Sequence, residues 1–182
     1  MLPIEYTIQI ALKILIAEDC PDTAVMYKHV LEGRGHDVVI TNNGECCLKI
    51  YHEEGQRTAL NTDATEHIQP FDVVLLDHKM PKINGIDVAK EILAVNPRQR
   101  IVFSSGYVKK TLLDSIRELN QPLEVLSKPF GTQTLIDAIE DKEIYAELQK
   151  LRLNTDYIKA ANFRHEQIKS IVEILKKYKS EQ

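Results

Sequence analysis

The stretch KILIAEDCPD, from Lys13 to Asp22, predicts a buried strand that ends in two adjacent carboxylates. Four apolar residues lead directly into Glu18 and Asp19. Like charges side by side at a desolvated strand end repel each other, and burial pushes a proton back onto one of them. The rest of the chain must therefore supply a positive charge between these carboxylates or recruit one.

Five short apolar runs, rich in β-branched residues, recur along the chain and predict its fold class. They are KILIAED, DVVIT, FDVVLLD, RIVFSSG and LEVLS, and the segments between them mostly carry helical spacing. This alternation is typical of an α/β fold, in which crossover helices connect the strands of a parallel sheet.

Capping residues predict the bounds of two crossover helices. Asp22 is expected to cap the first helix, which ends at the glycines of EGRGH. Asn84 is expected to open the helix after the third run, and Pro97 to close it. The expected apolar face of that helix comprises Val88, Ile92 and Val95.

Length and composition bound the function classes. With 182 residues and 43% hydrophobic content, the chain is expected to bury one main core with an appended helix or two. A net charge of -4, a pI near 5.9 and the lack of a long basic run give no reason to expect nucleic acid. The odd set Cys20, Cys46 and Cys47 fits a reducing cytoplasm, and no run approaches the roughly 18 to 20 apolar residues of a membrane span.

Three parts are expected along the chain. Residues 1–12 form an N-terminal extension, which packs Ile8, Ile10 and Leu12 on the main domain. Residues 13–150 form that domain, with an insertion near 56–70 where RTALNTDATEHIQP lacks strong periodicity. Residues 151–182 end the chain as a helix.

The C-terminal helix carries apolar residues at a spacing of three and four, as in a coiled coil. Its seam comprises Ile158, Ala161, His165, Ile168, Val172, Leu175 and Lys179. A homodimer through this seam and a helix packed on its own domain explain the pattern equally well. We interpret His165 as a seam residue and not a kinase phosphoacceptor, because no ATP-binding domain accompanies FRHEQIK.

Polar residues at the ends of the predicted strands are expected to share one edge of the sheet. In an open parallel sheet, ligands bind beyond the carboxyl ends of the strands. The residues at that edge are Glu18, Asp19, Asp77, Ser104, Ser105, Gly106, Ser127, Lys128 and Pro129. Grouped carboxylate oxygens suit Mg²⁺, which makes the acidic pair after the first strand tolerable.

The acidic pair, LLDHKMP, FSSGY and SKPF, in this order, resemble the receiver domain of two-component response regulators. The resemblance runs roughly from Lys13 to Ile139. It implies a flavodoxin-like sheet of five parallel strands in the order 2-1-3-4-5, with helices on both faces. It also implies a phosphorylation-dependent signalling switch, not an enzyme, in which a sensor histidine kinase or phosphotransfer protein phosphorylates Asp77.

The resemblance assigns the metal site to residues of this chain. Asp19 is expected to bind Mg²⁺ directly and Glu18 directly or through water. Asp77 and the backbone carbonyl of Lys79 complete the protein ligands. The ion offsets charge on the attacking carboxylate and on the phosphoryl oxygens.

The resemblance also assigns the parts of the switch. Lys128 pairs with Asp77 at rest and with a phosphoryl oxygen afterwards, and Pro129 follows a cis bond. The expected switch hydroxyl is Ser105 and not Ser104, because Gly106 and Tyr107 follow Ser105 as in the family's pattern. Val125, however, lies three residues before Lys128, where many receivers have an aromatic side chain that reports phosphorylation.

A long-lived phosphorylated state is expected from two positions that flank the path of the hydrolytic water in this family. They are Lys79 and Tyr107 in this chain. An ammonium cannot accept a proton from water, and a bulky ring shields the phosphoryl group. Lys79 has the opposite effect if it stabilises charge in the transition state.

Two alternative functions compete with the signalling switch. The first is an Mg²⁺-dependent phosphohydrolase with an aspartyl-phosphate intermediate, but such enzymes carry a second acid at the position of Lys79. The second is a receiver-fold scaffold that binds partners without phosphorylation, which the intact set of acids disfavours. No helix-turn-helix effector is recognisable in the C-terminal part, so the expected output is protein–protein interaction or self-association.

Overall fold

Five parallel strands form a single sheet in the computed structural model, which describes residues 11–60, 69–106, 114–116, 119, 123–140 and 174. The strands are β1 (Lys13–Ala17), β2 (Asp37–Thr41), β3 (Val73–Asp77), β4 (Ile101–Ser105) and β5 (Glu124–Ser127), in the order β2-β1-β3-β4-β5. The main helices are α1 (Pro21–Glu32), α2 (Gly44–Leu60), α3 (Gly85–Val95) and α4 (Thr132–Glu140). The flavodoxin-like fold predicted from the sequence is confirmed.

The sheet is buried on both faces because alternate residues of each strand point into two separate cores. One core joins Leu15, Leu76 and Phe103 to apolar side chains of α2 and α3. The other joins Leu75 and Val102 to apolar side chains of α1 and α4. This double burial explains why the strands read as continuous apolar runs, and it brings their carboxyl ends to one edge.

The predicted cap of α3 is confirmed, while that of α1 is wrong. The Asn84 side chain accepts a hydrogen bond of 3.0 Å from the backbone N–H of Asp87, and α3 ends before Pro97. In α1, Cys20 is the N-cap residue and Asp22 lies within the first turn. The reason is Pro21, whose fixed φ angle suits the first helical position, so the helix begins two residues earlier than predicted.

The apolar face of α3 is narrower than predicted. Val88 and Ile92 are fully buried, but Val95 is 62% exposed at the end of the helix. Helical spacing therefore identifies the two central residues of this face and fails in the last turn.

The first residues of the segment predicted as an insertion near 56–70 are helical, because α2 continues to Leu60. Two local contacts lie in this last part of the helix: the Thr58 hydroxyl donates to the carbonyl of Glu54 at 2.8 Å, and Arg57 pairs with the Glu54 carboxylate at 2.8 Å. The residues of this part of the helix are mostly polar, so their sequence shows no apolar periodicity that would predict a helix. Residues 61–68 lie outside the described residues.

Both predicted terminal segments fall largely outside the described residues. Leu12 is buried at 3% exposure, as expected, whereas Ile8 and Ile10 are not described. Residues 141–173 and 175–182, which include the seam and its His165, are not described either. Among the described residues, no helix is both long enough and apolar enough to cross a bilayer.

The end of α4 is fixed at the amino-terminal edge of the sheet. The guanidinium of Arg34 donates to both oxygens of Glu140, at 2.8 and 2.9 Å. The buried ring of His36 accepts from the backbone N–H of Leu12 and lies 3.3 Å from the Glu140 carboxylate. Buried Arg100 donates to the carbonyls of Ala138 and Ile139, so charged groups satisfy the last turn of this helix.

Gly85 lets α3 begin directly against the end of β3. A Cβ atom at this position would lie 2.2 Å from the backbone carbonyl oxygen of Asp77. The N–H of Gly85 also donates to the carbonyl of His78 at 3.1 Å. The carboxyl end of β3 therefore depends on the absence of a side chain here.

We expect Gly85→Ala to lower the free energy of unfolding by about 1–3 kcal/mol, because the added methyl group forces backbone apart. The matched control is Gly55→Ala inside α2, where a Cβ meets nothing within 4 Å. That control should raise stability by about 0.5–1 kcal/mol. Urea unfolding followed by circular dichroism measures both, and equal stability of Gly85→Ala and the wild type would contradict the tight approach.

Candidate functional site

Those predicted site residues that the structure describes lie at the carboxyl ends of β1, β3, β4 and β5. Backbone hydrogen bonds of sheet type continue just past the strand ends and hold these residues in place. The N–H of Glu18 donates to Thr41 at 3.0 Å, and that of Lys128 donates to Ser105 at 2.8 Å. The side chains near this edge are therefore positioned by the sheet itself.

The Lys128 ammonium supplies a positive charge beside the acidic pair that follows β1. Its Nζ atom lies 2.6 Å from Oε2 of Glu18 and 2.9 Å from Oδ1 of Asp77. Burial alone lowers the pKa of Lys128, but the hydrogen bonds to Glu18 and Asp77 prevail and raise it to about 12. The bond to Asp77 was expected from the family resemblance, whereas the bond to Glu18 was not.

Of the two adjacent carboxylates, Glu18 costs more free energy to keep ionised, because it is buried. Its side chain is 2% exposed, and burial raises its pKa although the hydrogen bond from Lys128 lowers it. Asp19 is exposed, so solvent screens its charge. The ammonium is thus directed at the carboxylate that water does not reach.

A second positive charge is still needed at this edge. Ligand oxygens of Glu18, Asp19 and Asp77 all lie within 4.8 Å of one another. One ammonium against three carboxylates leaves an excess of negative charge. Hard oxygen donors at this spacing fit Mg²⁺, so the residues present suit the cation that the sequence predicts.

Both oxygens of Asp77 have hydrogen-bond partners. Oδ1 faces Lys128, and Oδ2 accepts from the backbone N–H of Lys79 at 3.0 Å. This contact comes from the backbone of Lys79, whose side chain is exposed. The carboxylate is held in one orientation from both sides.

The two serines at the end of β4 are both buried. Ser104 pairs in register with Asp77, and Ser105 pairs with Ser127. Exposed Gly106 follows, and Tyr107 lies outside the described residues.

An aromatic contact that was not predicted from the sequence supports the loop after β5. The peptide bond between Lys128 and Pro129 is cis. The next residue, Phe130, stacks on Tyr27 of α1 with ring centroids 5.6 Å apart. Burial raises the pKa of Tyr27 to about 12, and the Lys128 charge opposes that rise. In the sequence, this stacking could have been predicted from the phenylalanine of SKPF together with a tyrosine on the buried face of α1.

Comparisons with known proteins agree with this architecture. A family model described as response regulator receiver domain matches residues 14–140. The chain is similar to the response regulator receiver protein CpdR of Brucella abortus, with 29% identity over 134 residues, 74% of this chain and 98% of the relative. It is 27% identical over 131 residues to the aerobic respiration control sensor protein ArcB of Escherichia coli, covering 71% of this chain and 15% of ArcB. A solved receiver domain structure from Clostridium thermocellum gives a TM-score of 0.59 at 26% identity, covering 79% of this chain and 100% of that one.

We expect Lys128→Met to lower the free energy of unfolding at pH 8 by about 2–3 kcal/mol, because two buried carboxylates lose their counter-charge. Folding raises the pKa of Lys128 from 10.5 to about 12, so its stabilising contribution is complete below 10.5. That contribution is lost as the pH rises through about 12. The difference between wild type and variant should therefore shrink above pH 10.5.

Urea unfolding between pH 8 and the alkaline range measures this difference. The matched control is Lys49→Met, since that lysine is 72% exposed and pairs loosely with Glu53. Its effect should stay below about 1 kcal/mol at every pH. A Lys128→Met difference that is constant across the alkaline range would show that the ammonium does not bridge the two carboxylates.

Proposed function

The chain belongs to the family of response regulator receiver domains, and from this membership we propose that Asp77 accepts a phosphoryl group from a phosphohistidine. Members of this family are phosphorylation-dependent signalling switches and not enzymes in the ordinary sense. The observation that carries the proposal is the environment of Asp77. Lys128 lies 2.9 Å from one carboxylate oxygen, and two further carboxylates approach within 4.8 Å.

The proposed reaction is a displacement at phosphorus. A carboxylate oxygen of Asp77 forms a bond to phosphorus while the bond from phosphorus to the histidine nitrogen breaks, and its electron pair stays on the imidazole. The N–H of Lys79, which donates to Oδ2 at 3.0 Å, fixes the orientation of the attacking group. The Lys128 ammonium stabilises negative charge on the transferring oxygens.

Glu18, Asp19 and Asp77 are the side chains proposed to hold Mg²⁺, with the carbonyl of Lys79 as a further ligand. When bound, the ion supplies the positive charge that three clustered carboxylates and an incoming phosphoryl group require. The separation of these oxygens, all within 4.8 Å, supports this role.

Ser105 is proposed as the switch hydroxyl. It ends β4, and its backbone carbonyl accepts from the N–H of Lys128 at 2.8 Å. A shift of Ser105 towards the phosphoryl group would therefore act on the loops after both β4 and β5. Through this coupling, a local change of charge at Asp77 would change the conformation of surface loops, which is how a receiver is expected to signal to a partner.

The phosphoryl donor and the output partner complete the proposal. We assign the donor to a sensor histidine kinase or phosphotransfer protein, and similarity to part of a sensor protein such as ArcB supports this assignment. A cytoplasmic location fits the free thiols of Cys20, Cys46 and Cys47. The output is protein–protein interaction or self-association through the C-terminal seam, without nucleic acid.

The two alternative functions have weaker support. A phosphohydrolase would place an acid where exposed Lys79 stands, and family membership favours a switch. A scaffold that is never phosphorylated would have no use for three clustered carboxylates and a lysine bridging two of them.

Incubation with acetyl phosphate and Mg²⁺ should add one acid-labile phosphoryl group to the wild type. Asp77→Asn should abolish the labelling, because the nucleophilic carboxylate is gone. Intact-protein mass spectrometry measures the product, with omission of Mg²⁺ as a second negative condition. Asp37→Asn, an exposed aspartate at the opposite edge of the sheet, is the control and should label like the wild type. Full labelling of Asp77→Asn would move the acceptor elsewhere.

A slow loss of phosphate is the further expectation for Lys79 and Tyr107. The Lys79→Asn, Tyr107→Glu double variant supplies groups that orient water and should lose phosphate about tenfold faster or more. Release of inorganic phosphate after removal of the donor measures the rate. Lys49→Asn, an exposed lysine of α2, controls for the loss of a positive charge. If the double variant decays no faster than the wild type, these side chains do not set the lifetime.

A further inference from the structure

The hydroxyl of Ser104 is buried without a hydrogen-bond partner among the described residues. The residue is 1% exposed, so solvent does not satisfy the group. Leaving a buried hydroxyl unpaired destabilises a protein, and such a group in a native fold calls for an explanation. The explanation lies in what surrounds Ser104.

Ser104 faces the same side of the sheet as Asp77. The two residues are register partners on neighbouring strands, and Leu126 is the partner of Ser104 on β5. Side chains of register partners project to the same face. Val102, two residues before Ser104, and Leu126 both belong to the core against α1 and α4. The orphan hydroxyl therefore lies in one row with the proposed nucleophile.

The Lys128 side chain must cross the end of β4 to make its two hydrogen bonds. It starts from the end of β5 and reaches Asp77 on β3 and Glu18 after β1, with β4 in between. Neighbouring strands lie about 4.8 Å apart, so this lysine is extended across more than one strand spacing. Its backbone is fixed meanwhile, since the N–H donates to Ser105 at 2.8 Å.

The ammonium has one more donor than the described residues use. It carries three hydrogens, and Glu18 and Asp77 are its two described acceptors. The third N–H of the Lys128 ammonium and the buried hydroxyl of Ser104 thus both lack a partner among the described residues. Ser104 lies at the end of β4, which the lysine side chain crosses. The two groups are not bonded while Lys128 reaches towards Glu18.

We propose that Ser104 is a positioning residue for Lys128, whose ammonium donates to the Ser104 hydroxyl once Glu18 is engaged by a cation. The proposal rests on the proposed function, because that function requires Glu18 to join a metal site. With Glu18 engaged, the lysine no longer needs to extend to β1 and retracts over β4. Ser104 then holds the ammonium beside Asp77 and its phosphoryl group, whereas Ser105 contacts the phosphoryl group itself.

The decisive pair of variants is Ser104→Thr and Ser104→Val, which have nearly the same volume and differ in the hydroxyl. Isothermal titration measures the affinity for beryllofluoride, a phosphoryl mimic, in Mg²⁺. The wild type and Ser104→Thr should bind about three- to tenfold tighter than Ser104→Val, the value of one hydrogen bond. Without Mg²⁺, urea unfolding should find Ser104→Val at least as stable as Ser104→Thr, because the hydroxyl is then unpaired.

Equal beryllofluoride affinity of the Thr and Val variants, with Ser104→Ala equal to the wild type, would overturn the inference. If the Thr and Val variants bind equally but Ser104→Ala binds more weakly than the wild type, the inference stands and the threonine hydroxyl is misplaced; if Ser104→Ala binds like the wild type, the inference is wrong whatever the other two variants show. Asp77→Asn separates this failure from failure of the proposed function. If the wild type does not bind the mimic, or Asp77→Asn binds it equally well, the proposed function itself is wrong.

Discussion

The ammonium of Lys128, held between Glu18 and Asp77, is the interaction on which the rest of the site depends. Buried carboxylates on neighbouring strands are tolerated because a cation lies between them. The sheet order makes this possible, since it places the ends of β1 and β3 within reach of a lysine beyond β5. Stacking of Phe130 on Tyr27 then steadies the chain that follows the lysine.

Much of this architecture is readable from the sequence because both faces of the sheet are buried. Continuous apolar runs mark the strands, and polar residues at the end of each run mark the edge where ligands bind. Asn84 is readable as a cap because its bond to Asp87 is local. Inferences of this kind depend on neighbours in sequence or on a periodic pattern.

The features missed by sequence reasoning depend on distances across the fold or on local bonds without a hydrophobic pattern. The Glu18–Lys128 bond joins residues 110 positions apart, and no periodicity encodes it. The last part of α2 carries polar contacts such as that of Thr58 with Glu54, and its sequence has no strong apolar periodicity that would predict a helix. The start of α1 lies two residues before the predicted one because Pro21 at the first helical position outweighs a good capping side chain at Asp22.

The bonds of Arg34 and Arg100 to the last turn of α4 have a mechanical consequence. They anchor the last turn of α4 at the edge of the sheet remote from Asp77. The nine residues of α4 form a rod of about 14 Å between the chemistry and this anchor. The helix therefore links the loop that follows Lys128 to the opposite edge of the sheet, where two arginines hold its last turn.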